Sequence, residues 1–362
     1  MPIGTTADVS GAFLLTLCID SKNPDSNPLD GLAFNGRPLR RIGEGASTVG
    51  LRGVDRSATS KTGLCNLLAA TYPGDLKSVA APSEAMPRTI RTLTASEVET
   101  LVEWAAGEGW NPGIGDAAAL RAADPEGFVG AIVGGEMVAG ISAVAYGAEF
   151  GFIGLYICRP DRRGEGHGKA VWDAGMARLG DRIVGLDGVA EQRANYQHKG
   201  FVPAYETVRF SGRPAGLTGG REIRSVEAAE TAEILAYDRQ CFPAPREAFL
   251  REWLRPPRIA MMSTGSTGLA GYGVARRCRE GFKVGPLFAD DMETALALMV
   301  ELTGRTAGEA LHIDVPATQI GFTAVLQAVG MVPGFTTTRM YRGGKPGNAP
   351  SKVFGITTLE LG

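Results

Sequence analysis

Histidine is nearly missing from this chain: three occur among 362 residues. That is too few for a histidine-rich metal site, and no metal is expected. Cysteine is sparse as well. The five (Cys18, Cys65, Cys158, Cys241 and Cys278) are odd in number and nowhere spaced Cys-x-x-Cys. This excludes a zinc knuckle and fits a reduced, cytoplasmic protein. No apolar run approaches the roughly eighteen residues a membrane helix needs. The stretch Ala12–Ile19 is short and lacks a basic flank, so neither signal peptide nor membrane contact is expected. Charge of either sign is in balance. A formal net charge of −2 gives no electrostatic reason for a nucleic-acid partner. The remainder is ordinary globular composition, 44% apolar and 21% charged, long enough for two or three domains with sizeable cores.

What the chain does have is a run dense in glycine and arginine, Arg159-Pro-Asp-Arg-Arg-Gly-Glu-Gly-His-Gly-Lys169. A strand-like apolar stretch (Phe152, Ile153, Leu155, Tyr156, Ile157) precedes it. Apolar residues at 170, 171, 174 and 177 follow at helical spacing. Strand, glycine turn and helix aim main-chain N–H groups at an anion. Glycine permits positive φ and close approach, and the free amides and dipole of the new helix favour phosphate. Arg162, Arg163 and Lys169 add charge. The pattern predicts a diphosphate cradle. It is not a dinucleotide fingerprint: Gly164-x-Gly166-x-Gly168 has the wrong register, and Asp187 would be the only acid at roughly the required twenty residues.

Arg-x-x-Gly-x-Gly at 163–168 resembles the coenzyme A loop of the GCN5-related N-acetyltransferase (GNAT) superfamily. Asn195-Tyr-Gln-His-Lys-Gly-Phe201 resembles a second landmark of that superfamily, a tyrosine a few residues before Gly-Phe. The two stand at the usual separation, with the strand Arg182–Val189 between them, and the resemblance covers 86–212. It implies acetyl-CoA as cosubstrate. Ile157 and its neighbours on the fourth strand would offer backbone groups to the pantetheine amides. Arg163, Gly164, Glu165, Gly166, His167, Gly168 and Lys169 would wrap the diphosphate, His167 through its amide alone.

The sequence also repeats itself. Gly200-Phe-Val-Pro-Ala-Tyr-Glu-Thr-Val-Arg-Phe210 lines up with Gly330-Met-Val-Pro-Gly-Phe-Thr-Thr-Thr-Arg-Met340, and Gly151-Phe152 with Gly281-Phe282, both at an offset of 130. Val138-Ala-Gly140 matches Leu269-Ala-Gly271, and Arg88-Thr-Ile-Arg91 matches Arg221-Glu-Ile-Arg224. Collinear matches of this kind indicate duplication of one unit. We therefore expect tandem units at 86–212 and 221–343, joined by a flexible linker at 213–220 and followed by a tail at 344–362. Each unit reads as a strand (Thr89–Leu93; Glu222–Val226), a helix, a meander, the fourth strand, a long helix, a fifth strand, a short helix and a last strand. The fold class expected is α/β (α+β): two tandem GNAT-like units, each a mixed, largely antiparallel sheet flanked by helices. Residues 1–85 show no clear period and read as an irregular extension, either poorly ordered or the product of a mis-assigned start ahead of Met86.

The copies differ chemically. In place of the glycine turn the second reads Pro286-Leu-Phe-Ala-Asp-Asp-Met-Glu293, whose carboxylates would cap the helix and repel a diphosphate. Tyr196 maps to Leu326. The second copy is therefore expected to lack acetyl-CoA. The arrangement resembles a GNAT subgroup with a degenerate second domain, which implies that the second unit closes over the first and helps shape the acceptor pocket.

Acyl transfer to an amine needs a group to protonate the departing thiolate and one to take the amine proton. Tyr196 is the candidate acid, a phenol protonated at neutral pH. For the base, Asp187 on the fifth strand and Glu149 at the head of the fourth stay open, beside a water chain. Gly188 stands where the superfamily usually has asparagine, which weakens any carry-over there. Trp110 and Asn111, with Asp124 nearby, lie in the region that borders the acceptor in this superfamily. Cys158 reads as a packing residue. The expected function is N-acetyl transfer from acetyl-CoA to a small-molecule amine by a monomer or homodimer. The competing readings are a non-catalytic acyl-CoA-binding sensor and an amine-binding scaffold with a vestigial loop.

Overall fold

The structure, a computed structural model, describes residues 87–362 except Thr267, and earlier in the chain an antiparallel ladder of Ala33–Phe34 with Arg37–Pro38. Apart from that ladder, the expectation for 1–85 lies outside the described residues.

The first copy begins with β1 (Arg88–Thr92), α1 (Ala95–Gly107) and α2 (Asp116–Ala123). Thr94 and Glu97 start α1 as a reciprocal capping box: the Thr94 hydroxyl accepts from the Glu97 N–H, and the Glu97 carboxylate accepts from the Thr94 N–H at 2.8 Å. The stripe Val98, Leu101, Val102 and Ala105 faces the core as its spacing predicts. The meander β2 (Phe128–Val133) and β3 (Glu136–Tyr146) turns at Gly134 and Gly135, both at positive φ. β4 (Phe150–Cys158), α3 (His167–Leu179), β5 (Ile183–Val189), α4 (Arg193–His198) and β6 (Val202–Gly212) complete the copy. Strand limits fall within about two residues of the sequence reading. The helix α2 does not appear in that reading, because only eight residues carry it and its start is a left-handed Gly115 rather than a capping side chain.

The second copy repeats the order: β7 (Arg224–Ser225), α5 (Thr231–Cys241), α6 (Glu247–Trp253), β8 (Ile259–Gly265), β9 (Gly268–Arg277), β10 (Phe282–Ala289), α7 (Met292–Gly304), β11 (Leu311–Pro316), α8 (Ile320–Ala328) and β12 (Val332–Arg342). One further strand, β13 (Val353–Gly355), follows. The stretch after 343, read as a tail, is largely packed into the body; Thr357, Thr358, Glu360 and Leu361 are buried.

All these strands form one sheet in the order β1-β2-β3-β4-β5-β12-β6-β11-β10-β9-β8-β7, with β13 attached to β10. The last strand of each copy has crossed into the other. β12 lies antiparallel between β5 and β6, and β6 lies antiparallel on β11. The repeated arginines mark the exchange. Arg209 on β6 pairs with Asp314 on β11 at 2.7 and 3.0 Å, and Arg339 on β12 pairs with Asp187 on β5 at 2.8 Å through both nitrogens. Both pairs are buried and bidentate. The first helices of both copies pack on one face of the sheet, around Phe128, Phe152, Trp253 and Tyr272. On the other face, α3 packs on Ile141 and Ile153, and α7 and α8 on Val284 and Leu311.

Candidate active site

A groove opens where β4 and β5 part. Their parallel pairing stops at Ile153 with Leu186. Just beyond, β4 carries a bulge: Leu155 and Tyr156 together oppose Ile141 of β3, and Leu155 takes φ 45. A left-handed leucine is uncommon in a strand and re-aims the backbone at that point. From Gly154 onward the β4 edge that faces β5 has no strand partner among the described residues, which leaves main-chain groups there for an extended amide chain. Ile157 pairs with Gly140 of β3, in step with the Arg159 N–H to the Val138 carbonyl, so the main-chain groups turned to that edge are those of its neighbour Cys158, whose carbonyl accepts from Arg163. The groove holds about 450 Å³.

The glycine loop sits at one end. Gly164 and Gly166 have φ 86 and 79, which side chains rarely adopt, and Gly166 is the N-cap of α3. A Cβ on Gly168 would come within 3.0 Å of the Tyr156 hydroxyl. No main-chain carbonyl among the described residues accepts from the N–H groups of 164–169. These are the donors of a helix start, that of Gly168 turned toward the Cys158 sulfur. The charged side chains of the loop are tied elsewhere. Glu165 joins Arg162 to the ring of His167, Lys169 meets Asp173, and Arg163 reaches Glu108 at 2.6 Å and the Cys158 carbonyl at 3.1 Å. What the loop offers an anion is mainly backbone, with Arg163 at the rim. Helix-start amides, positive φ and the open β4 edge together fit a pantetheine diphosphate.

Tyr196 lines the groove from α4. Its ring stacks on Trp172 at 5.6 Å and is 8% exposed. Burial, with Tyr156 adding to it, pushes its hydroxyl up to about 12, so it is a protonated donor at neutral pH. Gly188 makes room here: a Cβ on it would lie 2.9 Å from the Tyr196 ring, so a side chain would require the ring to shift.

Asp187 also lines the groove, but Arg339 holds both its oxygens. Burial raises its carboxyl, and the Arg339 charge pulls against that. This carboxylate is engaged in joining the two copies. Glu149 is exposed in the turn at the far end of β4 and does not reach the groove. Trp110 lines the groove, and its carbonyl accepts from Arg209 at 3.1 Å and Lys283 at 3.2 Å. Asn111 and Asp124 are not brought there. The Asn111 amide exchanges hydrogen bonds with the main chain of Glu280. Asp124 is held by Arg178 at 2.7 Å and accepts from the Ala145 N–H.

Several lining residues were not foreseen: Phe335 and Thr337 on the exchanged β12, and Leu359 and Glu360 beyond it. The repeat gives no hint that β12 crosses over, and residues after 343 have no counterpart in the first copy.

The second copy keeps the scaffold and loses the opening. The bulge recurs in β10, where Gly285 and Pro286 oppose Val274, in register with Leu155 and Tyr156 at the offset of 130. The β10 edge beyond it is taken by β13, which pairs Gly355 with Leu287 and Val353 with Phe288. Only Asp290 and Asp291 separate β10 from α7, and Asp291 caps the helix through the Thr294 N–H at 2.8 Å. Leu326, at the position of Tyr196, is fully buried.

An open strand edge running to a helix N-terminus, beside a buried tyrosine, is a layout suited to an acyltransferase that takes its donor as a thioester. Comparison with known proteins agrees. The profile of the family described as Acetyltransferase (GNAT) domain matches residues 234–355, the copy in which the groove is filled. A holothin acyltransferase of Pseudoalteromonas sp. (strain SANK 73390) is 32% identical over 277 residues, covering 76% of this chain and 94% of that protein. A putative acetyltransferase from Pyrococcus horikoshii shares the fold, with TM-score 0.64 at 18% identity over 80% of this chain and 100% of that one. A GCN5-related N-acetyltransferase from Sphaerobacter thermophilus gives 0.50 at 16% identity over 75% and 98%. The chain belongs to the GCN5-related N-acetyltransferase superfamily.

Proposed function

We propose that this protein transfers an acyl group, acetyl being the simplest, from acyl-CoA to the amine of a small molecule. The first copy holds the donor, and the second, relieved of that task, walls the acceptor side. The observation that carries this reading is the asymmetry between the copies: the same bulged strand edge is open in β4 and occupied by β13 in β10. The N–H groups of 164–169 would take the diphosphate, and the β4 edge around Ile157 the pantetheine amides. When bound, the thioester supplies an activated carbonyl and a thiolate leaving group. Tyr196 would donate its proton to that thiolate. Trp110, Phe335 and Thr337 would border the acceptor, which supports a small amine over a protein chain.

The test is release of free thiol from acetyl-CoA across a panel of primary amines that includes holothin, chosen because a relative carries that name. Turnover on at least one amine is expected. Tyr196→Phe is expected to lower kcat by about 10²-fold with acetyl-CoA affinity little changed. Binding without turnover on any amine would favour a non-catalytic acyl-CoA sensor instead.

A further inference from the structure

The mechanism above leaves the amine proton without a destination. Around the groove the buried charges pair off: Arg209 with Asp314, Arg339 with Asp187, and Arg276 with Asp116, which Arg258 also contacts. Two are left. Lys283 donates to the Trp110 carbonyl, and Glu360 makes no ion pair among the described residues. Glu360 is 4% exposed yet lines the groove. An unpaired buried carboxylate is costly and is retained where it serves a purpose.

Its placement is tightly determined. After β13 fills the second copy's slot, the chain passes over the β10 bulge, where a Cβ on Gly285 would lie 2.4 Å from the Thr357 carbonyl oxygen. It then reaches the first copy. Ser142 donates to the Glu360 carbonyl at 3.2 Å, Tyr146 to that of Leu361 at 3.2 Å, and a Cβ on Gly154 would lie 2.1 Å from the Glu360 carbonyl oxygen. Gly154 is the residue at which β4 leaves β5. Ser142 and Leu361 belong to the sheet face covered by α1, whereas Tyr196 packs on the face covered by α3. The two groups therefore enter the groove from opposite sides of the sheet.

The geometry points to Glu360 as the base that takes the proton from the acceptor amine, carried into the first copy's site by the segment that plugs the second's. This rests on the acyl-transfer reading above. The balance is complete: the amine nitrogen bonds to the thioester carbon and gives a proton to the Glu360 carboxylate. The carbon–sulfur bond breaks, and the sulfur takes the Tyr196 proton. Glu360 then returns its proton, and Tyr196 regains one, through solvent. The groups close enough to act on the Glu360 charge are Asp187 with Arg339, Arg209 with Asp314, Arg276, Cys278 and Lys283.

The experiment is Glu360→Gln, which keeps shape and removes the base, with the amine that turns over fastest in the panel. At neutral pH kcat is expected to fall by about 10²- to 10³-fold with acetyl-CoA affinity unchanged by calorimetry. The deficit should shrink as pH rises and hydroxide takes over the proton from the attacking nitrogen, and Glu360→Asp should restore part of the rate. A kcat within about threefold of wild type would overturn the assignment. So would a deficit constant with pH, or acetyl-CoA affinity lost in step with kcat, since either shows that Glu360 only holds the segment. No turnover by the wild type on any amine would instead remove the acyl-transfer reading itself, and this proposal with it.

Discussion

Asp187 shows how an interior charge divides between catalysis and architecture. On sequence alone an acidic residue in a buried strand beside the cofactor loop is a natural base, since an unpaired buried carboxylate is costly. Its partner Arg339 stands 152 residues away, and nothing local announces it. Asp187→Asn would leave that guanidinium buried and uncompensated. Denaturant unfolding should then show a loss of about 3–5 kcal/mol, the cost of breaking one side of a buried pair. Glu97 gives a residue-scale dependence on pH. The hydrogen bond from Arg91 comes first among the causes that hold its carboxyl at about 2, against 4.5 without them. The folded value is the lower one, so the stabilisation is complete above pH about 4.5 and lost as pH falls toward 2. The Tm difference between wild type and Glu97→Gln should accordingly be widest near neutrality and close in acid. The glycine turn and the place of Tyr196 in the groove were legible because each is written in contiguous residues. Asn111 and Asp124 misled because an Asn or Asp beside a turn hydrogen-bonds backbone as readily as ligand.

Among elements, strands and long helices could be read from periodicity, and the duplication from its collinear matches. What could not be read was which strand lies beside which. The run ending at Phe210 and the run ending at Met340 look like closing strands of their own units, and the same apolar pattern suits either neighbour. The short β13 and the segment after it were invisible for another reason. They are too short and irregular to show a period, and they take their conformation from the slot they fill. Gly154 tests that fit. Gly154→Ala places a methyl against the Glu360 main chain, so the segment must move. Expected is a destabilisation of about 1–3 kcal/mol and a fall in kcat larger than the change in acyl-CoA affinity, measured by unfolding, kinetics and calorimetry.

At the scale of the molecule, exchange of the closing strands makes each copy incomplete alone. Residues 87–220 without β12 would expose the edge of β5, and 221–362 without β6 would expose that of β11. Expressed separately the halves should show no cooperative unfolding by circular dichroism; mixed or co-expressed, they should regain it. The same exchange lets a copy that has lost its opening remain useful, since β12 and the segment after β13 form one wall of the other's groove. The central claim is that a single strand edge, β4 of the first copy, takes the acyl donor. Calorimetric titration with coenzyme A tests it most directly. The expected result is one site per chain, abolished in the double variant Arg163→Glu with Gly166→Asp while the fold is intact. Two sites per chain, or binding that survives those substitutions, would contradict it.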